Sequence, residues 1–163
     1  MAEENSVLRN HFLKMFRYIK WSNIRILELL KSENISSGKE VELISHIVIA
    51  EETWYKRISN ETYENKFWNI LSLDDCKKLE AETNTKFIKY ISSLSEEDFK
   101  KKLAYTSSRG VDFETSIEDI LTQIGLHGMY HRGQIMLLMR NSGKETIATD
   151  YAMYMRENES GQK

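Results

Sequence analysis

Four stretches of this 163-residue chain repeat apolar side chains every three to four residues, and no proline interrupts them. That spacing matches the 3.6-residue turn of an α-helix, so each stretch carries one apolar stripe and one polar face. The first covers about residues 5–31, with Leu8, Phe12, Met15, Ile19, Ser22, Ile26 and Leu30 in line. The second runs to about Ile58 and carries Leu43, Ile47, Ala50, Trp54 and Ile58. Its start is read at Ser37, because Ser37 with Glu40 three residues later has the form of a capping box. The third, about residues 73–94, follows a cap in Ser72-Leu73-Asp74-Asp75 and carries Leu79, Thr83, Phe87 and Ile91. The fourth follows the Ser116 cap, runs to about Asn141 and carries Ile117, Ile120, Ile124, His127, His131, Ile135 and Leu138.

Between the third and fourth stretches the period changes. Ser95-Glu96-Glu97-Asp98 reads as a short cap-and-turn element. The alternating segments Lys102 to Thr106 and Val111 to Thr115 flank Ser107-Ser108-Arg109-Gly110, which predicts a small β-hairpin. A short helix is expected over about residues 149–157, and the loop of residues 59–71 should pack Tyr63, Phe67 and Trp68 onto the helices. Helices with one apolar face bury it most simply by packing together, so the expected fold is all-α: a four-helix bundle in a single domain spanning residues 1–163.

Three of the four histidines fall on inward faces. His127 and His131 are neighbours on one helix face, since side chains at i and i+4 lie about 5–6 Å apart at Cβ. His46 lies on the inward face of the second helix. A single imidazole in a core is ordinary, whereas three from two facing helices point to a divalent metal site. Gly128 stands where the H-E-x-x-H metalloprotease pattern has its glutamate, so that general base is missing. Gln134, three residues past His131, is the candidate positioning group: it can hydrogen-bond a ligand imidazole, a metal-bound water or a substrate. His11 reads as a surface or core-edge residue.

Composition limits the function classes. Apolar residues are 40% and charged residues 29%, with a net charge of -2, the balance of a globular protein with no electrostatic footprint for nucleic acid. No apolar run approaches the roughly 20 residues of a membrane span. The N-terminus is acidic where a signal peptide is basic, so a cytoplasmic location is expected. The lone Cys76 fits a reducing compartment, and with no histidine beside it reads as a surface or half-buried residue rather than a catalytic thiol. Met129, Met136 and Met139 read as core or dimer surface, and Gly125, Gly128 and Gly133 as points of close helix packing.

Several of these segments resemble one family. Tyr18-Ile-Lys-Trp21-Ser-Asn23, His46-Ile-Val-Ile-Ala-Glu51-Glu-Thr-Trp54-Tyr-Lys-Arg57, His127-Gly-Met-Tyr-His131-Arg132-Gly133-Gln134 and Thr149-Asp150-Tyr151 are similar to motifs of the DinB/YfiT-like metal-binding proteins. The resemblance covers almost the whole chain. It implies an up-down-down-up bundle with a long connection between the second and third helices, and frequently a homodimer. It also implies that His46, His127 and His131 hold zinc or nickel with water completing the shell. Residues 141–148 lack the prolines often found there in the family. Characterised members include thiol-dependent S-transferases and isomerases using low-molecular-weight thiols such as bacillithiol or mycothiol. For this chain, conjugation of such a thiol to a small electrophilic substrate is the leading expectation. Metal-dependent hydrolysis and a non-enzymatic metal- or ligand-binding stress role remain the alternatives.

Overall fold

The computed structural model describes residues 6–64 and 66–158. Its helices and strands are, in chain order, α1 (Val7–Ser32), α2 (Lys39–Ile58), α3 (Leu73–Ser93), α4 (Glu96–Lys100), β1 (Lys102–Thr106), β2 (Asp112–Ser116), α5 (Ile117–Asn141) and α6 (Tyr151–Asn158). Asn5, the expected start of the first helix, lies outside the described residues.

Serines start most of these helices, because a hydroxyl beside the first turn accepts from a backbone N–H that has no partner within the helix. Ser6 accepts from the Arg9 amide, Ser72 from Asp75 and Ser116 from Asp119, at 3.0, 3.1 and 3.2 Å. Ser95 and Asp98 form a reciprocal capping box. The box expected at Ser37 and Glu40 does not form. Gly38 is the N-cap instead, at φ 99°, a conformation open to glycine, and no side chain caps α2. Glu40 and Glu42 still place negative charge against the positive end of the helix dipole.

The topology is up-down-down-up. Lys31 at the end of α1 meets Asp74 at the start of α3, and Arg9 near the start of α1 reaches the Leu94 carbonyl beyond the end of α3, so these helices are antiparallel. The long connection of residues 59–72 runs back along α2: Leu71 N–H donates to Ser45 Oγ at 3.0 Å. As a result α3 begins beside the first half of α2, parallel to it, and Cys76 Sγ lies 3.6 Å from Ser45 Oγ. Cys76 is therefore fully buried, not a surface or half-buried thiol, and burial pushes its pKa up. The α5 helix runs parallel to α1, with Gly125 against Met15 and Ile19, and Lys144, just past the helix, beside Glu33.

Two apolar clusters fill the bundle. One gathers Phe12, Phe16, Phe87, Ile91, Phe99 and Ile120, and the other Ile26, Leu30, Ile44, Ile47, Ile135 and Met139. Each such side chain, fully buried, contributes about 1.5–3 kcal/mol. A polar waist separates the clusters: Asn23, Glu51, Glu80, Thr83 and Arg132 are all buried.

The hairpin pairs Tyr105 with Phe113 and Leu103 with Thr115. Its second strand starts one residue later than expected, because the Val111 carbonyl closes the turn by accepting from Ser107 N–H at 2.7 Å. The Tyr105 ring then packs edge-on against Trp54 at 5.0 Å, which seats the hairpin over the last turns of α2. Gly125 shows the expected close packing, a Cβ there meeting Met15 Sδ at 3.3 Å, whereas Gly133 has nothing within 4 Å. No helix among the described residues is long and apolar enough to cross a membrane.

Candidate metal centre

His46 on α2 and His127 and His131 on α5 turn their Nε2 atoms towards one point. The Nε2 of His127 lies 3.1 Å from that of His46 and 3.2 Å from that of His131. One ligand atom from each residue lies within 4.8 Å of the other two.

The opposite ring nitrogens show what these atoms are. His46 Nδ1 lies 2.8 Å from the Phe67 carbonyl, and His131 Nδ1 lies 2.7 Å from Gln134 Oε1. Both oxygens only accept, so each Nδ1 carries the proton and each Nε2 of a neutral ring presents a lone pair. His127 can satisfy at most one of its two neighbours with a single N–H. At least one close contact therefore sets two lone pairs face to face, which is unfavourable unless a cation lies between them. Tetrahedral ligands at 2.0–2.1 Å from zinc are about 3.3 Å apart, within a few tenths of the separations found. The donor set fits a divalent ion.

Burial disfavours the charged forms of His46 and His127. Burial, opposed by the Phe67 hydrogen bond and reinforced by His131 and Lys39, holds His46 below its usual pKa. Burial, with His131 and His46 adding to it, pushes His127 down to about 4. Near neutral pH both offer lone pairs without first losing a proton.

The loop of residues 59–72 supplies more than the Phe67 carbonyl. The Trp68 indole stacks on the His46 ring, with centroids 4.0 Å apart and planes within 5°. Trp68 was expected to pack on the bundle, and it does so with one face while remaining 57% exposed. His46 and His127 open onto a cleft of about 660 Å³ between this loop, α2 and the hairpin. His11 is exposed and edges against Phe12, and it is not one of the three clustered histidines. Gln134, read as able to hold an imidazole, a bound water or a substrate, takes the first of these places.

Comparison with known proteins bears on the family and the fold. The DinB family pattern matches residues 1–162. The chain belongs to the DinB family. It is 23% identical to Protein DinB of Bacillus subtilis (strain 168), over 87% of this chain and 92% of that protein. Its fold is similar to the crystal structure of a DinB-like protein from Bacillus cereus ATCC 10987, with a TM-score of 0.63 and 18% identity over 84% of this chain and 94% of that one.

Several other motif residues of this DinB-family chain, Tyr18, Asn23, Glu51 and Arg132, are linked through the polar waist. Asn23 sits at its centre: its amide donates to Glu51 Oε1 and its carbonyl accepts from Arg132 Nη1, each at 2.9 Å. Arg132 Nη2 reaches the Tyr18 hydroxyl at 3.4 Å, and that hydroxyl donates to the Thr149 carbonyl at 2.9 Å. Asp150 then accepts from the Met153 amide at 3.1 Å, starting α6. A Cβ on Gly128 would lie 2.8 Å from Arg132 Nη1, so the glycine between the two histidines makes room for this guanidinium. The sequence alone assigns no task to Tyr18, Asn23, Glu51 or Arg132. Their signal was polarity on inward helix faces, at Asn23 and Glu51 above all.

Proposed function

We propose that this DinB-family protein binds one divalent ion, zinc or nickel, through His46, His127 and His131, and uses it to conjugate a low-molecular-weight thiol to a small electrophilic substrate. The observation that carries the reading is the convergence of three Nε2 atoms, two of them held as lone pairs by hydrogen bonds on the far side of their rings. Three protein ligands leave a coordination position for an incoming molecule, as at catalytic rather than structural zinc sites. When bound, the ion favours loss of a thiol proton and so supplies a thiolate near neutral pH. Transfer forms a carbon–sulfur bond and breaks the carbon–halogen bond of a chlorinated acceptor; chloride leaves and the thiol proton passes to solvent.

The chain's own residues exclude part of the water and hold the ligands. Trp68 covers one face of His46, and Phe67 O and Gln134 fix two rings in orientation. No aspartate or glutamate is among the described residues lining the cleft, so no carboxylate of that lining can act as a base for water. That favours thiol transfer over hydrolysis.

We further read the protein as a single-domain homodimer of the cytoplasm. Leu126, Met129, Tyr130 and Leu137 are 53%, 49%, 64% and 55% exposed and share one outward face of α5 with Gly133. A second copy would bury that stripe. A monomer mass by light scattering across the micromolar range would reject the dimer.

Protein purified without an affinity tag is expected to carry one ion per chain by elemental analysis. His127→Ala or His131→Ala should lose most of it, and His11→Ala should keep it. Metal-loaded protein incubated with small thiols, bacillithiol among them, and a chlorinated fluorogenic acceptor should yield conjugate that disappears in His131→Ala. Full metal retention after joint replacement of His127 and His131 sinks the site. Ester or amide cleavage without thiol would replace transfer by hydrolysis. If neither turnover occurs and a ligand shifts the melting temperature only with metal present, the protein has a binding role.

A further inference from the structure

Arg57 is only 8% exposed, yet no carboxylate among the described residues pairs with it. Its Nε donates to the Tyr63 hydroxyl at 2.9 Å. The rings of Trp54, Tyr105, Tyr63 and Phe67 lie 4.6, 4.9, 5.2 and 5.8 Å from its Cζ. Aromatic faces offset part of the cost of burying a cation. They do not use its terminal N–H groups, and neither Nη has a protein acceptor among the described residues. With Nε committed to Tyr63, the end-on fork of two Nη groups remains, the geometry that matches both oxygens of a carboxylate.

Helix geometry sets Arg57 on the face of α2 that lines the cleft holding the histidines. Eleven residues separate His46 from Arg57, three turns of α2, which leaves them about 20° apart around the helix and roughly 16 Å apart along it. Ala50 and Trp54 fall between them on the same face, and all four line the cleft of about 660 Å³ together with His127 and Lys66. Ala50 leaves room where a larger side chain would fill it. Phe67 joins the two ends, its carbonyl on His46 and its ring beside Arg57. Of the two cationic side chains that line the cleft, Lys66 is paired with Glu64 and Arg57 has no carboxylate partner among the described residues, so Arg57 supplies the positive charge that favours an anion.

We propose that the cleft binds small carboxylate-bearing molecules, with Arg57 gripping the carboxylate and the reactive end turned towards His46, His127 and His131. The direction of the reactive end rests on the metal-centred reading above; the carboxylate site itself does not. Arg57 is then the specificity-determining residue of the site.

The test compares 3-mercaptopropionate with 3-mercapto-1-propanol, thiols of similar size that differ in charge, on cobalt(II)-loaded protein. Binding is followed by the sulfur-to-cobalt absorption band. A parallel titration follows tryptophan fluorescence of metal-free protein with glutarate, which needs no metal and no thiol. The expected result is about tenfold or tighter binding of the carboxylated thiol, the scale of one charge-assisted hydrogen-bonded pair. Glutarate should also perturb the fluorescence of the metal-free protein. Arg57→Met should bring the thiol ratio near one and abolish the glutarate response. Arg57→Lys keeps a charge without the fork and should retain only part of the preference, whether or not the methionine variant folds. Equal binding of the two thiols by the parent protein, or a preference that survives in Arg57→Met, overturns the proposal. Should cobalt fail to bind, or no thiol give the band, the glutarate arm decides: a response that requires Arg57 upholds the carboxylate site while overturning the metal-thiolate reading, and no response overturns the site.

Discussion

His131 owes its orientation to one neighbour. Gln134 Oε1 accepts from Nδ1 at 2.7 Å and leaves Nε2 as the ligand atom. Replacing Gln134 by Leu preserves approximate size and helix propensity but removes the acceptor, so the ring is free to rotate or change tautomer. Outer-sphere partners of this kind typically account for about 10–100-fold in metal affinity. Gln134→Leu should therefore weaken binding by that order in competition with a chromophoric chelator, while leaving far-UV circular dichroism unchanged. An affinity equal to that of the parent would remove Gln134 from the site. The same residue-scale argument applies to Gly128: a methyl group there pushes on Arg132 Nη1, and through it on the hydrogen bond to Asn23.

At the scale of elements, α3 brings an unsatisfied group into the waist. Glu80 is fully buried, and neither of its carboxylate oxygens has a hydrogen-bond partner among the described residues. Burial first, then the charge of Glu51, pushes its pKa up from 4.5 to about 8 against the opposing pull of Lys20 and Arg132. Between those two values the folded protein holds a proton that the unfolded chain has released, so stability falls as pH rises through this window. Glu80→Gln removes that titration. Its stability relative to the parent should rise from pH 5 to pH 8, by on the order of 3 kcal/mol, in urea denaturation at the two pH values. A difference constant with pH would refute the assigned protonation. Glu80 also shows what was hard to read in the sequence. Apolar period located all four long helices, and serine spacing located the caps of α3, α4 and α5, because those signals are local. The cap of α2 was misread, since Ser37 and Glu40 have the right spacing while Gly38 takes the conformation that starts the helix. The histidine trio was legible from inward placement and i, i+4 spacing. The Phe67 carbonyl that holds His46 was not, because every residue has a carbonyl and only the returning path of the loop selects this one.

At the scale of the whole molecule, an ion bound only by the assembled bundle stabilises it by mass action, by about 4 kcal/mol at a free concentration a thousand times its dissociation constant. For a protein of this size that corresponds to roughly 10 °C in melting temperature. Addition of a strong chelator at neutral pH should lower the melting temperature by that order, and the drop should shrink in His127→Ala. Neither apolar cluster counts a histidine among its members, so the chelated protein should still melt cooperatively. The connection between α2 and α3 adds a kinetic consequence. It holds His46 by one carbonyl and one stacked ring, and it is itself fastened by few bonds, including Leu71 N–H to Ser45 Oγ and Asn69 N–H to the Lys66 carbonyl. Such a segment can detach in a partial opening that requires much less free energy than global unfolding. The residence time of the ion is then governed by how often this segment lifts away, and ion binding in turn clamps the segment down. Hydrogen–deuterium exchange should record that reciprocity as slower exchange at Asn69 and Leu71 in the loaded protein, with no change in the middle of α1.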